Sequence, residues 1–365
     1  MFHSPITNLP NNKTHHHVHF IFTENQINEL DEIGKVVTVI SAILLIPLIF
    51  TNLSRKDRRQ YPSRATTLYM ICVFGLHMTV IVGLFSKNRT TFPEFYETGK
   101  VSEFCVYQGM IYQFFACSTL WLWILICYIL YSVIVKGTQF TELEKVEKYH
   151  HTFWLTLSIA QTAIPFYMST SEPQIGVPVC WMSSKNHYFE KFYFFLLEMA
   201  LCLFVGFIFM FSIINKLCML RSRNNSGSAN ASSGSDVVDY ITRHVLFIIF
   251  FIVVFTILTT CTIYEMRFSI NHKNILPYFI CVAHVSSACG IGIFTFCVFG
   301  TSSANRKIIF QYFKCCTKGN KSVYLKDHIN SRSNHEDNEF DDLDYNHEIM
   351  DSNGYHKQDH GYEKL

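Results

Sequence analysis

The chain has 365 residues, of which 49% are hydrophobic and 16% are charged. A soluble domain usually carries about 25% charged residues, and the formal net charge of +2 is too small to indicate a nucleic-acid partner. The charges cluster between long apolar runs. This pattern excludes an ordinary soluble domain and predicts an all-α membrane protein, a bundle of seven transmembrane helices.

Residues 1–32 are polar and are predicted to form a short N-terminal tail. They lack the basic start and short apolar core of a signal peptide. They include four closely spaced histidines: His15, His16, His17 and His19. We expect these histidines to be solvated, and the sequence predicts no metal site and no cofactor. Asn12 begins a glycosylation sequon, which is used only if this tail lies outside the cell.

Seven apolar segments follow and make residues 33–300 a single membrane domain. They are predicted to be helices at residues 33–52, 67–85, 105–135, 153–168, 188–217, 245–264 and 275–299. Pro47 lies in the first segment and Pro165 in the fourth. Membrane helices tolerate proline where neighbouring groups satisfy the freed carbonyl, so neither residue argues against a span.

The third segment contains no charged residue and is longer than the roughly 30 Å of a bilayer core requires. It is nevertheless polar in places, with Gln108 and Gln113 in its first half and Trp121 and Trp123 in its middle. Polar side chains within the bilayer are tolerated mainly where they face other helices or a water-filled cavity. We therefore expect this helix to be central and surrounded by protein.

Lysine and arginine are distributed unequally between the two sides of the predicted bundle. Twelve lie in the connections after the first, third and fifth segments, and seven lie in the connections after the second, fourth and sixth. The richer side is predicted to be cytoplasmic. The amino terminus is then outside, in a multi-pass protein of the plasma membrane.

Only two of the thirteen cysteines are predicted to lie at the outer surface, Cys105 and Cys180. Disulfides persist in oxidising compartments, so these two are predicted to pair. The bond would attach the second outer loop to the start of the third helix. The alternative is two unrelated thiols.

The segment after the seventh helix, within residues 301–318, is predicted to be a short amphipathic eighth helix on the inner leaflet. Its apolar residues fall on one face: Ile308, Ile309, Tyr312 and Phe313. Cys315 and Cys316 stand where acyl chains are often attached, the alternative being two free thiols. Residues 319–365 are acidic and poor in apolar residues and are expected to be disordered.

Seven helices, an outer amino terminus, one outer disulfide and an amphipathic eighth helix resemble the G-protein-coupled receptors. The rhodopsin-type group is not favoured, because its Asp/Glu-Arg-Tyr triplet is replaced by Tyr131-Ser132-Val133. Its Asn-Pro-x-x-Tyr motif is also missing, since the one proline of residues 275–299 is Pro277, which follows Leu276 at the start of the segment. Those residues contain no lysine, which excludes a retinal Schiff base.

The run Cys105-Val106-Tyr107-Gln108-Gly109, with Gln113-Phe114-Phe115, Ser118 and Trp121, is similar to the third helix of the slime-mould cyclic-AMP receptors. Related patterns occur in secretin, adhesion and Frizzled receptors. Cys180-Trp181-Met182 resembles the Cys-Trp-Ile of the second outer loop in the same group. Residues 1–32 hold no cysteine, so the cysteine-rich ligand domain of secretin and Frizzled receptors is expected to be absent. The cyclic-AMP-receptor-like group is therefore the expected placement.

This resemblance implies a receptor that binds an extracellular small molecule or peptide in the outer half of the bundle. Seven residues are expected to contact it: Gln108, Tyr112, Gln113, Trp181, Glu198, Arg267 and Lys273. Glu198 lies inside an apolar segment, where a carboxyl group is costly and therefore indicates function. The alternative is a protonated acid that hydrogen-bonds neighbouring helices. His77 and His284 are expected to pack between helices.

The resemblance also implies a heterotrimeric G protein as the partner at the inner face. The residues expected to contact it are Arg58, Arg59, Lys136, Lys216, Arg221, Arg243 and His244. Membrane lipids are a second partner, since basic residues there also face anionic head groups. A transporter is the alternative function, which Pro47 and Pro165 keep open. An enzyme is not expected, because no helix carries a pair of histidines at positions i and i+4.

Overall fold

The computed structural model describes residues 24–54, 61, 63–86, 100–168, 171–173, 179–182, 192–224, 235–270 and 278–300. Within these residues the chain forms seven long helices and one short hairpin. The helices are α1 (Glu24–Ser54), α2 (Ser63–Phe85), α3 (Glu103–Ile134), α4 (Phe140–Met168), α5 (Leu197–Asn224), α6 (Ser235–Ile270) and α7 (Tyr278–Gly300). The strands are β1 (Ser171–Pro173) and β2 (Cys180–Met182), and a π-helical turn (Phe192–Leu196) leads into α5. The predicted seven-helix bundle is confirmed.

Six of the seven helices in the described part are long and apolar enough to cross a bilayer. The remaining helix is α4. The first half of α4 is polar, and its apolar half begins at Phe153. That half packs on α3, where the rings of Phe153 and Trp121 meet edge to face with centroids 5.9 Å apart. Trp121 Nε1 also donates a hydrogen bond to Gln161 Oε1 of α4, at 2.7 Å.

Several helices are longer than the apolar segments that predicted them. α1 begins at Glu24, within the predicted tail, and α4 begins at Phe140, well before residue 153. Hydropathy marks the part of a helix that lies in lipid, whereas the backbone hydrogen bonds continue into polar sequence. In α1 this extension is supported by Lys35, which forms ion pairs with Asp31 and Glu32 one turn earlier.

α3 is the most enclosed helix of the bundle. About 72% of the residues in its most apolar 18-residue stretch are buried, compared with 33–50% for the other five apolar helices. It contacts α2, α4, α5 and α6 and both strands of the hairpin. Its first turn is capped by Ser102, whose hydroxyl accepts a hydrogen bond from the backbone N–H of Cys105. The predicted central position of the third helix is confirmed.

α1 and α7 form a second interface, which carries His77 of α2 at its edge. Ser41 Oγ of α1 donates a hydrogen bond to the carbonyl oxygen of Cys289 in α7, at 2.6 Å. A side chain at Gly292 would overlap both Ser41 and His77 Nε2, so glycine is needed for this approach. His77 is buried here, in agreement with the expected packing role.

An aromatic cluster fills the middle of the bundle between α2, α3 and α6. Trp123 of α3 stacks on Phe251 with centroids 6.0 Å apart and meets Phe255 edge to face at 5.5 Å. Phe251 in turn contacts Phe247 at 4.7 Å, and both rings pack against Tyr69 of α2. We call these five residues the aromatic column. It joins α6 to the central helix.

Substitution of Gly206 in α5 tests the packing of this column. A Cβ atom at Gly206 would overlap the fully buried Trp123 ring, which the column prevents from moving aside. We expect Gly206→Ala to lower the thermal midpoint of the purified protein, at a cost of about 1–3 kcal/mol for overpacking. In Gly290→Ala the new methyl group meets its nearest neighbour at 3.7 Å, so this control is expected to keep the wild-type midpoint. Equal midpoints for the two variants would show that the helices are not in this contact.

Candidate ligand-binding site

Cys105 and Cys180 form a disulfide, as predicted, and it holds the hairpin against the start of α3. In the hairpin, Pro173 pairs with Cys180 and Glu172 pairs with Trp181 in antiparallel register. We refer to this end of the bundle as the disulfide end. The hairpin contacts α3 along its first turns, so β2 lies over the space between the helices.

Gln108 is a structural residue that links three elements. Its Nε2 donates to the carbonyl oxygen of Thr79 in α2 at 3.1 Å, and its Oε1 accepts from the backbone N–H of Cys180 at 3.2 Å. The side chain is 4% exposed. Both ends of the amide are therefore used within the protein. The expected contact of Gln108 with a ligand stays a prediction.

Gln113 has a similar role one turn deeper in α3. Its Oε1 accepts a hydrogen bond from Trp181 Nε1, and its Nε2 donates to Cys117 Sγ at 3.1 Å. The Trp181 ring is fixed on its other sides by Tyr112, at 5.9 Å between centroids, and by Phe195, at 4.5 Å. Gln113 thus orients Trp181 and is not among the residues that line the cavity described next, so its expected contact with a ligand stays a prediction.

A cavity lies beneath the hairpin and is partly open to solvent. Its empty volume, counted together with the open part, is about 650 Å³. Residues of α2, α3, α5, α6, α7, β2 and the π-helical turn line it. They include three of the residues expected to contact a ligand: Tyr112, Trp181 and Glu198. His284 of α7 also lines it, although the sequence indicated only a packing role. Its polar side chain within an apolar helix was the available signal.

Glu198 is the acidic group of this cavity. It lies in the first turn of α5 and is 6% exposed. Its Oε2 accepts a weak hydrogen bond from Cys117 Sγ at 3.9 Å, and its Oε1 is buried without a hydrogen-bond partner within the described part of the chain. One oxygen of Glu198 thus contacts α3, and its expected role in ligand binding stays a prediction.

The other predicted residues at the disulfide end fall beyond the described side chains. Arg267 lies in α6, but its side chain is not among those described, and Lys273 lies outside the described residues. Asn12 also lies outside them. Their expected roles stay predictions.

The opposite end of the bundle carries a cluster of polar side chains that connects the α1–α2 region to the start of α4. Tyr61 Oη and His150 Nδ1 are hydrogen-bonded at 2.7 Å, and Arg64 forms an ion pair with Glu147 at 2.8 Å. His151 Nε2 also contacts Glu147, at 3.1 Å. Burial raises the pKa of Tyr61, and Glu147 adds to the effect. Burial lowers the pKa of His150, as does the neighbouring His151, while Glu147 opposes the shift.

The residues expected to contact a G protein are only partly described. Lys136 lies over the rings of Tyr128 and Tyr131, at 5.9 and 5.5 Å from their centroids. Lys216 and Arg243 are partly exposed, whereas His244 is buried against Phe299 and so packs within the bundle instead of facing outward. The remaining side chains lie outside the description: Arg58, Arg59 and Arg221, together with the expected eighth helix and Cys315 and Cys316.

A seven-helix bundle with a hairpin fastened to its third helix has the fold of the G-protein-coupled receptors. The crystal structure of squid rhodopsin is similar, with a TM-score of 0.59 at 12% sequence identity over 84% of this chain and 91% of that chain. At this identity the likeness concerns the fold alone. The rhodopsin-type motifs are absent even though the fold is shared, because helix packing tolerates wide change in sequence.

The model of the Frizzled/Smoothened family membrane region matches residues 21–323, which is most of the chain. The chain therefore belongs to the Frizzled/Smoothened family and is a receptor of the G-protein-coupled-receptor type. No curated protein sequence matches it. The matching model describes the membrane region of the family, so the lack of cysteine in residues 1–32 does not affect the match. The narrower placement among the cyclic-AMP receptors stays a prediction.

Replacement of Trp181 by phenylalanine tests how the hairpin is held. Trp181→Phe keeps an aromatic ring beside Tyr112 and Phe195 but leaves Gln113 Oε1 without its donor. An unsatisfied buried acceptor costs about 1–3 kcal/mol, so we expect a lower thermal midpoint. Adding Gln113→Leu removes the orphaned group, and the double variant should lose less than the sum of the single losses. Strict additivity would contradict the hydrogen bond.

The polar cluster at the opposite end predicts a pH dependence of stability. The folded protein lowers the pKa of His150 below its ordinary 6.5, so it binds fewer protons there than the unfolded chain does. Stability should therefore fall as the pH drops through about 6.5. Thermal unfolding at pH 7.5 and pH 5.5 measures the difference, which should be smaller in His150→Phe. Tyr61, Tyr128, His151 and Glu147 face this ring, and an unchanged slope in the variant would show that His150 is not the source of the pH dependence.

Proposed function

We propose that the protein is a plasma-membrane receptor with its disulfide end outside the cell. It binds an extracellular ligand in the cavity beneath the hairpin and activates a heterotrimeric G protein at the opposite end. The observation that carries this proposal is the cavity itself, which five helices and the hairpin build around Tyr112, Trp181 and Glu198. Buried pockets with an apolar lining and few polar groups are typical ligand sites.

The aromatic column supplies a physical route between the two ends. Phe255 lines the cavity, and Phe251 and Phe247 follow it along α6 toward Phe299 and His244. A ligand that packs differently against Phe255 in two arrangements of α6 shifts the population between them. The G protein binds the arrangement in which the opposite end of α6 has moved outward. Basic residues such as Lys136 and Lys216 then contact it.

The subgroup and the ligand are separate proposals. The run from Cys105 to Trp121 supports a receptor of the cyclic-AMP-receptor-like group, as its sequence resemblance implies. The cavity does not favour a cyclic nucleotide as the ligand, because its described lining residues include neither lysine nor arginine to bind a phosphate, while Glu198 adds an acid.

Nucleotide exchange by G proteins tests the function. Receptor in lipid nanodiscs is mixed with purified heterotrimers representing the main Gα classes, and binding of labelled GTP analogue is followed with and without receptor. We expect the receptor to accelerate exchange on at least one heterotrimer and Lys136→Glu to reduce that acceleration. Lys35→Glu is the matched control, because Lys35 lies in the first half of α1, on the side of the disulfide end. No acceleration on any heterotrimer would overturn the coupling.

Sided labelling tests the orientation independently. A membrane-impermeant thiol reagent should label Lys100→Cys on intact cells, since Lys100 is an exposed residue just before α3. Cys218, which is exposed near the end of α5, should react only after permeabilisation. The reverse pattern would place the disulfide end inside the cell and would contradict the proposal.

A further inference from the structure

The lining of the cavity is mostly apolar and contains one acidic side chain. Aromatic and aliphatic side chains form most of it, including Trp181, Tyr112 and Phe255. One carboxyl group, that of Glu198, enters this apolar surface, and the described lining residues provide no lysine or arginine to neutralise it. A carboxyl group in such surroundings is costly unless it is paired or hydrogen-bonded.

The two oxygens of Glu198 differ in what they contact. Oε2 accepts from the Cys117 thiol, which is a weak donor, at 3.9 Å. Oε1 has no hydrogen-bond partner in the part of the chain that is described, and the residue is more than nine-tenths buried. The side chains of Trp121 and Gln161, which are joined by a hydrogen bond at 2.7 Å, also lie close to this carboxyl group. Glu198 is itself among the residues that line the cavity, so its carboxyl group is the acid that a bound molecule would meet there.

The aromatic rings of the cavity also favour a cation over an anion. Trp181 and Phe195 meet edge to face at 4.5 Å, and Tyr112 meets the other side of Trp181 at 5.9 Å. Aromatic faces attract cations and also cover apolar groups. The hydrogen bond from Trp181 to Gln113 fixes this arrangement before any ligand arrives. An anion would meet the Glu198 carboxyl and these rings with unfavourable electrostatics.

We propose that the cavity binds a small organic cation, a protonated amine attached to an apolar or aromatic body, and that Glu198 is its counter-ion. The ammonium group pairs with the Glu198 carboxyl group, and the body packs among Trp181, Tyr112 and Phe255. This inference rests on the proposed function, because it names the ligand class of the same site. It also explains why an acid is retained in the first turn of α5.

Matched pairs of amines and alcohols test the proposal on the purified receptor in nanodiscs, without a G protein. The probes are 2-phenylethylamine, 3-phenylpropylamine and 3,3-diphenylpropylamine, each beside the alcohol of the same skeleton. Thermal unfolding and competition between the probes give the affinities. We expect at least one amine to raise the midpoint by several degrees and to bind tenfold or more tightly than its alcohol.

Variants of Glu198 identify the group that binds the cation. Glu198→Gln keeps the shape of the side chain and should lower the amine affinity at least tenfold, with little change for the alcohols. Glu103→Gln is the matched control, since Glu103 is exposed at the start of α3, and it should bind like the wild type. If Glu198→Gln does not fold, Glu198→Asp keeps the acid but withdraws it by one methylene and should weaken amine binding.

Three results would overturn the proposal. In the first, the alcohols bind as tightly as their amines, which indicates a neutral hydrogen-bond donor as the ligand. In the second, the amines bind Glu198→Gln as tightly as they bind the wild type. In the third, no amine shifts the midpoint. The failure of this proposal is distinguishable from that of the proposed function. Selective amine binding without nucleotide exchange would remove the coupling alone, and exchange without amine selectivity would remove the cation site alone.

Discussion

Two buried amides inside the charge-free stretch of α3 determine how the disulfide end of this receptor is built. Gln108 and Gln113 lie where water does not reach them, so each amide needs partners from the protein. Gln108 finds them in α2 and in the backbone of Cys180, and Gln113 finds them in Trp181 and Cys117. The hairpin is thus held by hydrogen bonds as well as by the disulfide. The cavity below it exists because this cover is fixed.

The same arrangement connects the cavity to the rest of the bundle. Trp181 is oriented by Gln113, and Trp123 lies further along the same helix within the aromatic column. The rings of α6 meet the cavity at Phe255 and the opposite end near Phe299. α3 is therefore a fixed reference against which α6 can take up two packings, which is what a receptor of this fold requires.

The sequence was sufficient for the features that follow from solvation and from chain order. A charge-free run with internal polar residues predicted a central helix, and two cysteines at one end predicted the disulfide. It was not sufficient to find the protein partners of Gln108 and Gln113, because those partners depend on the position of the hairpin. Helix ends were also missed, since α4 continues through polar residues. The sequence indicated only a packing role for His284, because whether a side chain lines a cavity depends on tertiary packing.

The most direct test concerns the Gln108 bond, measured by hydrogen–deuterium exchange of the peptide that contains residues 179–182. In Gln108→Leu the Cys180 amide loses its acceptor, so its exchange should increase about tenfold or more while peptides from α7 stay unchanged. An unchanged rate at Cys180 in a folded variant would contradict the account, because the Cys180 amide would then not depend on the Gln108 side chain.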